Sequence, residues 1–144
     1  MKSSRTETRQ SQTISPGEAA FNVLVVDDDP TNRLVLCGML QSRGYRTETA
    51  TGGAQALAMM ESNLYQTVFI DIRMPEIDGF ETIRRMRRLN APHRPAAARV
   101  VAVSASVEKA AQAKAEGFDA FLAKPVKSVE LSLVLNRLGH QEID

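Results

Sequence analysis

The chain has 144 residues, 43% of them hydrophobic, and a formal charge of +1. That length and apolar content suit one domain with a real core, and the near-neutral balance gives no reason to expect nucleic acid or an anionic membrane as a partner. The single cysteine, Cys37, excludes an internal disulfide and a cysteine-rich zinc site, which fits a reducing, cytoplasmic setting, and no apolar run approaches the roughly 18 residues of a membrane span.

Residues 1–20 are rich in Ser, Thr, Gln and charge, with Ile14 the only large aliphatic residue after the initiator. So little apolar surface cannot offset the entropy of ordering, so a tail or linker is expected there. From Phe21 the composition changes. The runs FNVLVV, YRTETA, TVFID, RVVAVS and DAFLAK read as strands, and the segments between and after them have helical period, over about 31–43, 53–62, 79–89, 106–116 and 128–138. The domain is expected over 21–138, with 139–144 a short C-terminal tail.

Strands alternating with helices imply βαβ units, hence an α/β, doubly wound parallel sheet with helices on both faces. Val23–Val26, Val68–Ile70 and Val100–Val103 are apolar throughout and belong at its centre; YRTETA alternates charge with small residues, as an edge strand does. In the first helix Val35, Leu36, Met39 and Leu40 form an apolar stripe that runs out toward Gly44, a glycine suited to the C-terminal cap. Cys37 is expected to be an inert helix residue. In the third, Phe80, Ile83 and Met86 take the inner face, which leaves the arginines of RRMRR on the solvated one rather than forming a nucleic-acid patch. The fourth helix, VEKAAQAKAEG, is alanine-rich with few large anchors. In the last, Leu131, Leu135 and Leu138 form the core stripe, while Val129 and Leu133 lie on a different face and are candidates for a partner surface. His93 and His140 have no partners at metal or catalytic spacing.

In an open parallel sheet ligands sit at the carboxyl ends of the strands. Here the first strand delivers Asp27, Asp28 and Asp29, the third Asp71, the fourth Ser104 and the fifth Lys124. Three adjacent carboxylates repel one another unless a cation lies between them. Mg2+ suits this best, because it takes oxygen ligands, keeps waters and needs few protein carboxylates beside a phosphate oxygen. Asp71 is then placed to act as a nucleophile toward phosphorus, Ser104 to donate to the transferred group and Lys124 to neutralise another of its oxygens. Asp29 is left over, and Asp before Pro30 is well suited to cap the first helix; Asp78 has the same place before the third.

The strings VVDD, DIRMPEIDG, VSA and KP, in this order and each at a predicted strand end, resemble the signature set of response-regulator receiver domains of two-component signalling, from about Phe21 to Leu138. The resemblance implies a flavodoxin-like (βα)5 fold with strand order 2-1-3-4-5. It implies Asp27 and Asp28 as the metal-binding pair, Asp71 as phosphoacceptor and third metal ligand, and Arg73 as the donor of a backbone carbonyl to Mg2+. It also implies Ser104 and Phe121 as switch residues, Lys124 as the family's lysine and Pro125 as the proline after it. The partner would be a histidine kinase or histidine phosphotransfer protein, with no nucleic-acid or membrane contact by this chain, and the fourth helix, fifth strand and fifth helix would form a face for a homodimer or for kinase docking. With six residues after Leu138, no output domain is expected. The chain reads either as a free-standing receiver or as the receiver of a hybrid histidine kinase, for which DDDPTNR is the pointer.

On this reading the chain is not a turnover enzyme, although it assists its own phosphorylation and dephosphorylation. An aspartate-nucleophile phosphatase of the haloacid dehalogenase type would place a second aspartate where Arg73 stands. A nucleotide-binding loop would need glycines where the first strand ends in carboxylates. A receiver-like scaffold that is never phosphorylated is disfavoured by the intact set Asp27, Asp28, Asp71, Ser104 and Lys124.

Overall fold

The computed structural model describes residues 22–89 and 98–139. The predicted N-terminal tail, the C-terminal tail beyond Gly139, and both histidines lie outside the described residues. Five strands, β1 (Asn22–Val26), β2 (Arg46–Ala50), β3 (Thr67–Asp71), β4 (Arg99–Ser104) and β5 (Ala120–Ala123), form one parallel sheet in the order 2-1-3-4-5. The helices are α1 (Pro30–Gln41), α2 (Gly53–Ser62), α3 (Gly79–Arg87), α4 (Ala110–Ala115) and α5 (Ser128–Arg137). This is the doubly wound, flavodoxin-like fold, with β1, β3 and β4 inside as their unbroken apolar runs require and β2 at an edge.

Alternation along the strands divides the core in two. Leu24, Val26, Val68, Ile70, Val100 and Ala102 face α2, α3 and α4, meeting Met60, Phe80, Ile83, Met86 and Phe118. Val23, Val25, Phe69, Val101, Val103 and Leu122 face α1 and α5, meeting Leu36, Leu40, Leu131, Val134 and Leu135. Arg43, just after α1, ties the helices of the second face together: its guanidinium donates to the Met39 carbonyl at 2.7 Å and, on α5, to Ser128 Oγ at 2.7 Å and Ser132 Oγ at 3.1 Å.

Three expectations need correction. The buried face of α1 is Leu36, Cys37 and Leu40, and Val35 is exposed, so the stripe is rotated by part of a turn from the one expected. Cys37 is indeed a buried core residue, and burial pushes its thiol up from the ordinary value. Over 106–116 the chain makes a 3-10 turn at Val107–Lys109 before α4. No side-chain cap bond starts that segment, and Ala113 is its only buried helical residue, so neither its start nor its face holds a longer helix in place. At the end of α1 the cap is Ser42, and Gly44, at φ 93°, makes the turn beyond it.

Candidate functional site

The strand registers fix where the chemistry lies. Val26 pairs with Ile70, Asp71 with Val103 and Ser104 with Ala123, so the chain leaves the sheet at one level from β1, β3, β4 and β5. Asp71 and Ser104 are the last residues of their strands, and Asp27 and Lys124 follow directly after theirs. They line one cleft of about 300 Å³, together with Asp28, Asp29, Asn32, Arg73 and Ser106. Lys124 Nζ bridges the two buried carboxylates, 3.1 Å from Asp71 Oδ2 and 3.2 Å from Asp27 Oδ2.

The backbone finishes the arrangement. Asp27 Oδ1 accepts from the Asp29 N–H at 2.9 Å, and Asp71 Oδ1 faces the Arg73 N–H at 3.4 Å. Ser104 Oγ accepts from the Ser106 N–H at 3.0 Å, which orients the hydroxyl and leaves its proton to be donated elsewhere. Behind Asp71 the wall is Gly79: a β-carbon there would lie 2.7 Å from the Asp71 carbonyl oxygen and 2.8 Å from Ile72 Cα. The Gly79 N–H donates to the Ile72 carbonyl at 2.8 Å, so α3 begins pressed against the chain that carries Asp71. Both predicted caps are present, Asp29 Oδ1 accepting from Thr31 N–H at 2.8 Å and Asp78 Oδ1 from Glu81 N–H at 2.9 Å.

The electrostatics follow from burial and crowding. Burial, then the Asp27 carboxylate, push Asp71 up to about 6 against the opposing pull of Lys124 and the Arg73 amide. For Lys124 burial pulls the ammonium down, but the Asp71 and Asp27 carboxylates outweigh it and hold it above its ordinary value. One cation is thus shared between two buried anions, with Asp28 exposed beside them; ligand oxygens of Asp27, Asp28 and Asp71 all lie within 4.8 Å of one another. Hard oxygen donors at that spacing fit a small divalent cation. Phe121 does not line the cleft; it is half-buried against the α2–α3–α4 core and lines a separate groove with Val107 and Ala110.

Every residue expected to bind the metal or the phosphoryl group, Asp27, Asp28, Asp71, Arg73, Ser104 and Lys124, therefore lines this one cleft, and Phe121 does not. Asn32, Ser106 and the buttress Gly79 were not singled out. Asn32 has a positional signal, one helical turn after the acidic strand end. Ser106 acts through its backbone N–H, which no side chain advertises.

Fold and cleft together define a class: flavodoxin-like domains with an acidic, lysine-bridged pocket at the strand mouths. The chain belongs to the response regulator receiver domain family, whose profile matches residues 23–136, and is a receiver domain of two-component signalling. It is 32% identical over 140 residues to the hybrid signal transduction histidine kinase L of Dictyostelium discoideum, an alignment that takes in 94% of this chain and 8% of that one. The chain thus spans a small part of that relative's length. Among solved structures it is similar to the response regulator protein TrrA of Thermotoga maritima in complex with Mg2+–BeF, at TM-score 0.72 and 30% identity over 81% of this chain and 97% of that one. It is also similar to the receiver domain of a sensor histidine kinase from Pseudomonas aeruginosa with a magnesium ion coordinated in the active-site cleft, at TM-score 0.71 and 29% identity over 82% and 97%. No described helix is long and apolar enough to cross a membrane.

Proposed function

We propose that Asp71 accepts a phosphoryl group from a phosphohistidine of a histidine kinase or histidine phosphotransfer protein, and that the resulting aspartyl phosphate changes which partners the domain binds. The observation that carries this is the Lys124 ammonium held between Asp71 and Asp27 in a cleft that Ser104 also lines. An Asp71 carboxylate oxygen forms the new bond to phosphorus while the P–N bond to the donor imidazole breaks, and the imidazole keeps the electron pair and takes up a proton. Lys124 is placed to balance charge on one phosphoryl oxygen and the Ser104 hydroxyl to donate to another. Asp27, Asp28, Asp71 and the Arg73 carbonyl would hold Mg2+, which when bound neutralises the crowded carboxylates and the incoming phosphoryl oxygens. The Mg2+–BeF complex of TrrA and the magnesium-bound receiver domain from Pseudomonas aeruginosa, both similar to this chain, support that assignment.

Signalling then follows as a population shift toward the conformation that binds the phosphate better. Ser104 drawn toward the phosphate would pull on the segment after β4, where the 3-10 turn and short α4 offer little resistance, and Phe121 lines one groove with Val107 and Ala110 of that segment. The surface changed in this way carries exposed Val107 and Leu133, suited to a homodimer or a docking protein through α4, β5 and α5. We place the domain in the cytoplasm, at residues 21–138, acting as an acceptor rather than as a turnover enzyme.

Intact mass after incubation with acetyl phosphate tests the reading. A gain of one phosphoryl group with Mg2+, lost with chelator, is expected. A gain indifferent to chelator would remove the metal from the scheme.

A further inference from the structure

The loop from β1 into α1 is gripped by one side chain. Asp27 N–H makes a last sheet-side bond to the Ala50 carbonyl at 3.1 Å, and there the chain leaves the sheet. The Asp27 carbonyl, turned away from the ladder, instead accepts from Arg33 Nη1 at 2.8 Å. Arg33 also donates its backbone N–H to the Asp29 carbonyl at 3.1 Å. The same residue therefore holds the loop at Asp27 and at Asp29, and Asp28 lies between the two anchors with its carboxylate on the cleft.

We infer that Arg33 is a positioning residue: its guanidinium, by holding the Asp27 carbonyl, fixes the β1–α1 loop in the conformation that presents the Asp27 and Asp28 carboxylates together to a divalent cation. This rests on the proposed reading of the cleft as an Mg2+ site. Arg33 touches no ligand oxygen; it acts on the carbonyl one bond path behind them. Two effects of the residue oppose each other, which makes the inference sharp. As a fixed positive charge near three carboxylates, Arg33 repels a cation. As a brace, it spares the cation the cost of ordering the loop, and outer partners of this kind are worth roughly 10–100-fold in metal affinity. We take the brace as the larger effect, because the guanidinium is engaged by the Asp27 carbonyl at 2.8 Å rather than by a carboxylate.

The test uses the full chain as wild type, Arg33→Met and Arg33→Lys, with circular dichroism to check folding; if Arg33→Met does not fold, Arg33→Ala, the better helix former, replaces it. Mg2+ affinity is read by isothermal titration calorimetry at low salt, and amide hydrogen exchange of residues 27–29 is read in chelator, where no metal contributes. Arg33→Met is expected to bind Mg2+ about tenfold more weakly and to exchange faster at 27–29, with β4 and α3 unchanged, and Arg33→Lys to recover part of both. Equal or tighter Mg2+ binding by Arg33→Met would mean that only the charge matters and would overturn the inference, as would unchanged loop exchange. A wild-type chain that binds no Mg2+ would overturn the reading of the cleft itself, and this assignment with it.

Discussion

Asp71 carries a charge that the folded chain holds less readily than the unfolded one. Its folded pKa of about 6 lies above the ordinary 3.8, so the folded state binds that proton more tightly. The favourable contribution of this group is complete below about pH 3.8 and is lost as pH rises through 6. Asp71→Asn removes the charge at every pH. In chelator it should be more stable than wild type at pH 7.5 by on the order of 1 kcal/mol, after allowance for screening at the cleft mouth, with the difference shrinking toward pH 4; urea denaturation at both pH values measures it. A variant less stable than wild type at pH 7.5 would mean that the Lys124 contact outweighs the crowding. Asp27, Asp28, Asp71, Ser104 and Lys124 were legible in the sequence because each falls where an apolar strand run stops, and a run's end is visible in a string of letters. Arg33, Asn32 and Ser106 were not, because they act after a helical turn has formed or through the backbone.

At the scale of elements, Gly79 decides how α3 seats against β3. With a β-carbon 2.7 Å from the Asp71 carbonyl oxygen, Gly79→Ala must push the strand end or the helix aside. It should lose about 2 kcal/mol and take up phosphate more slowly, because Asp71 sits on the displaced chain; urea denaturation and the rate of mass gain read the two effects. The opposite case is α4. Its C-terminal end is tied to α3 by Glu116, whose carboxylate accepts from Arg84 Nε at 3.0 Å and Nη2 at 2.5 Å, but its body buries only Ala113. Amides of 107–115 should therefore exchange faster than those of α3, which buries Phe80, Ile83 and Met86; equal protection would contradict α4 as the moving part. Alanine richness made that weakness readable in advance, though not the 3-10 turn that replaces its start. The rotated face of α1 was unreadable for a plain reason. Leu34, Val35, Leu36 and Cys37 are four consecutive apolar residues, so the pattern supports several stripes, and only the sheet chooses Leu36, Cys37 and Leu40.

Across the whole molecule, the division of labour follows from the parallel sheet. All strand ends that matter open on one side, so a single acidic cleft forms with no contribution from the sheet's other end. The central strands were legible from composition, since a strand covered on both faces has no reason to carry polar residues. Their order was not, because periodicity says which residues are buried and not which strands are neighbours; the family resemblance supplied it. The exposed apolar residues on α5 were also foreseen: Leu133 is 63% and Val129 71% exposed, while Leu131 on the same helix is fully buried. Leu131→Ala should accordingly cost about 2–5 kcal/mol in urea denaturation, and Leu133→Ala should leave stability nearly unchanged while weakening any self-association seen by sedimentation after phosphorylation.

One side chain, Asp71, is proposed to carry the phosphoryl group, and reductive trapping reads which carboxylate does. After phosphorylation with acetyl phosphate and Mg2+, borohydride converts an aspartyl phosphate to homoserine, which peptide mass spectrometry locates by residue. Homoserine is expected at Asp71 alone, absent in chelator and absent from Asp71→Asn. Homoserine at Asp27, Asp28 or another carboxylate, or a phosphorylated chain with none at Asp71, would contradict it.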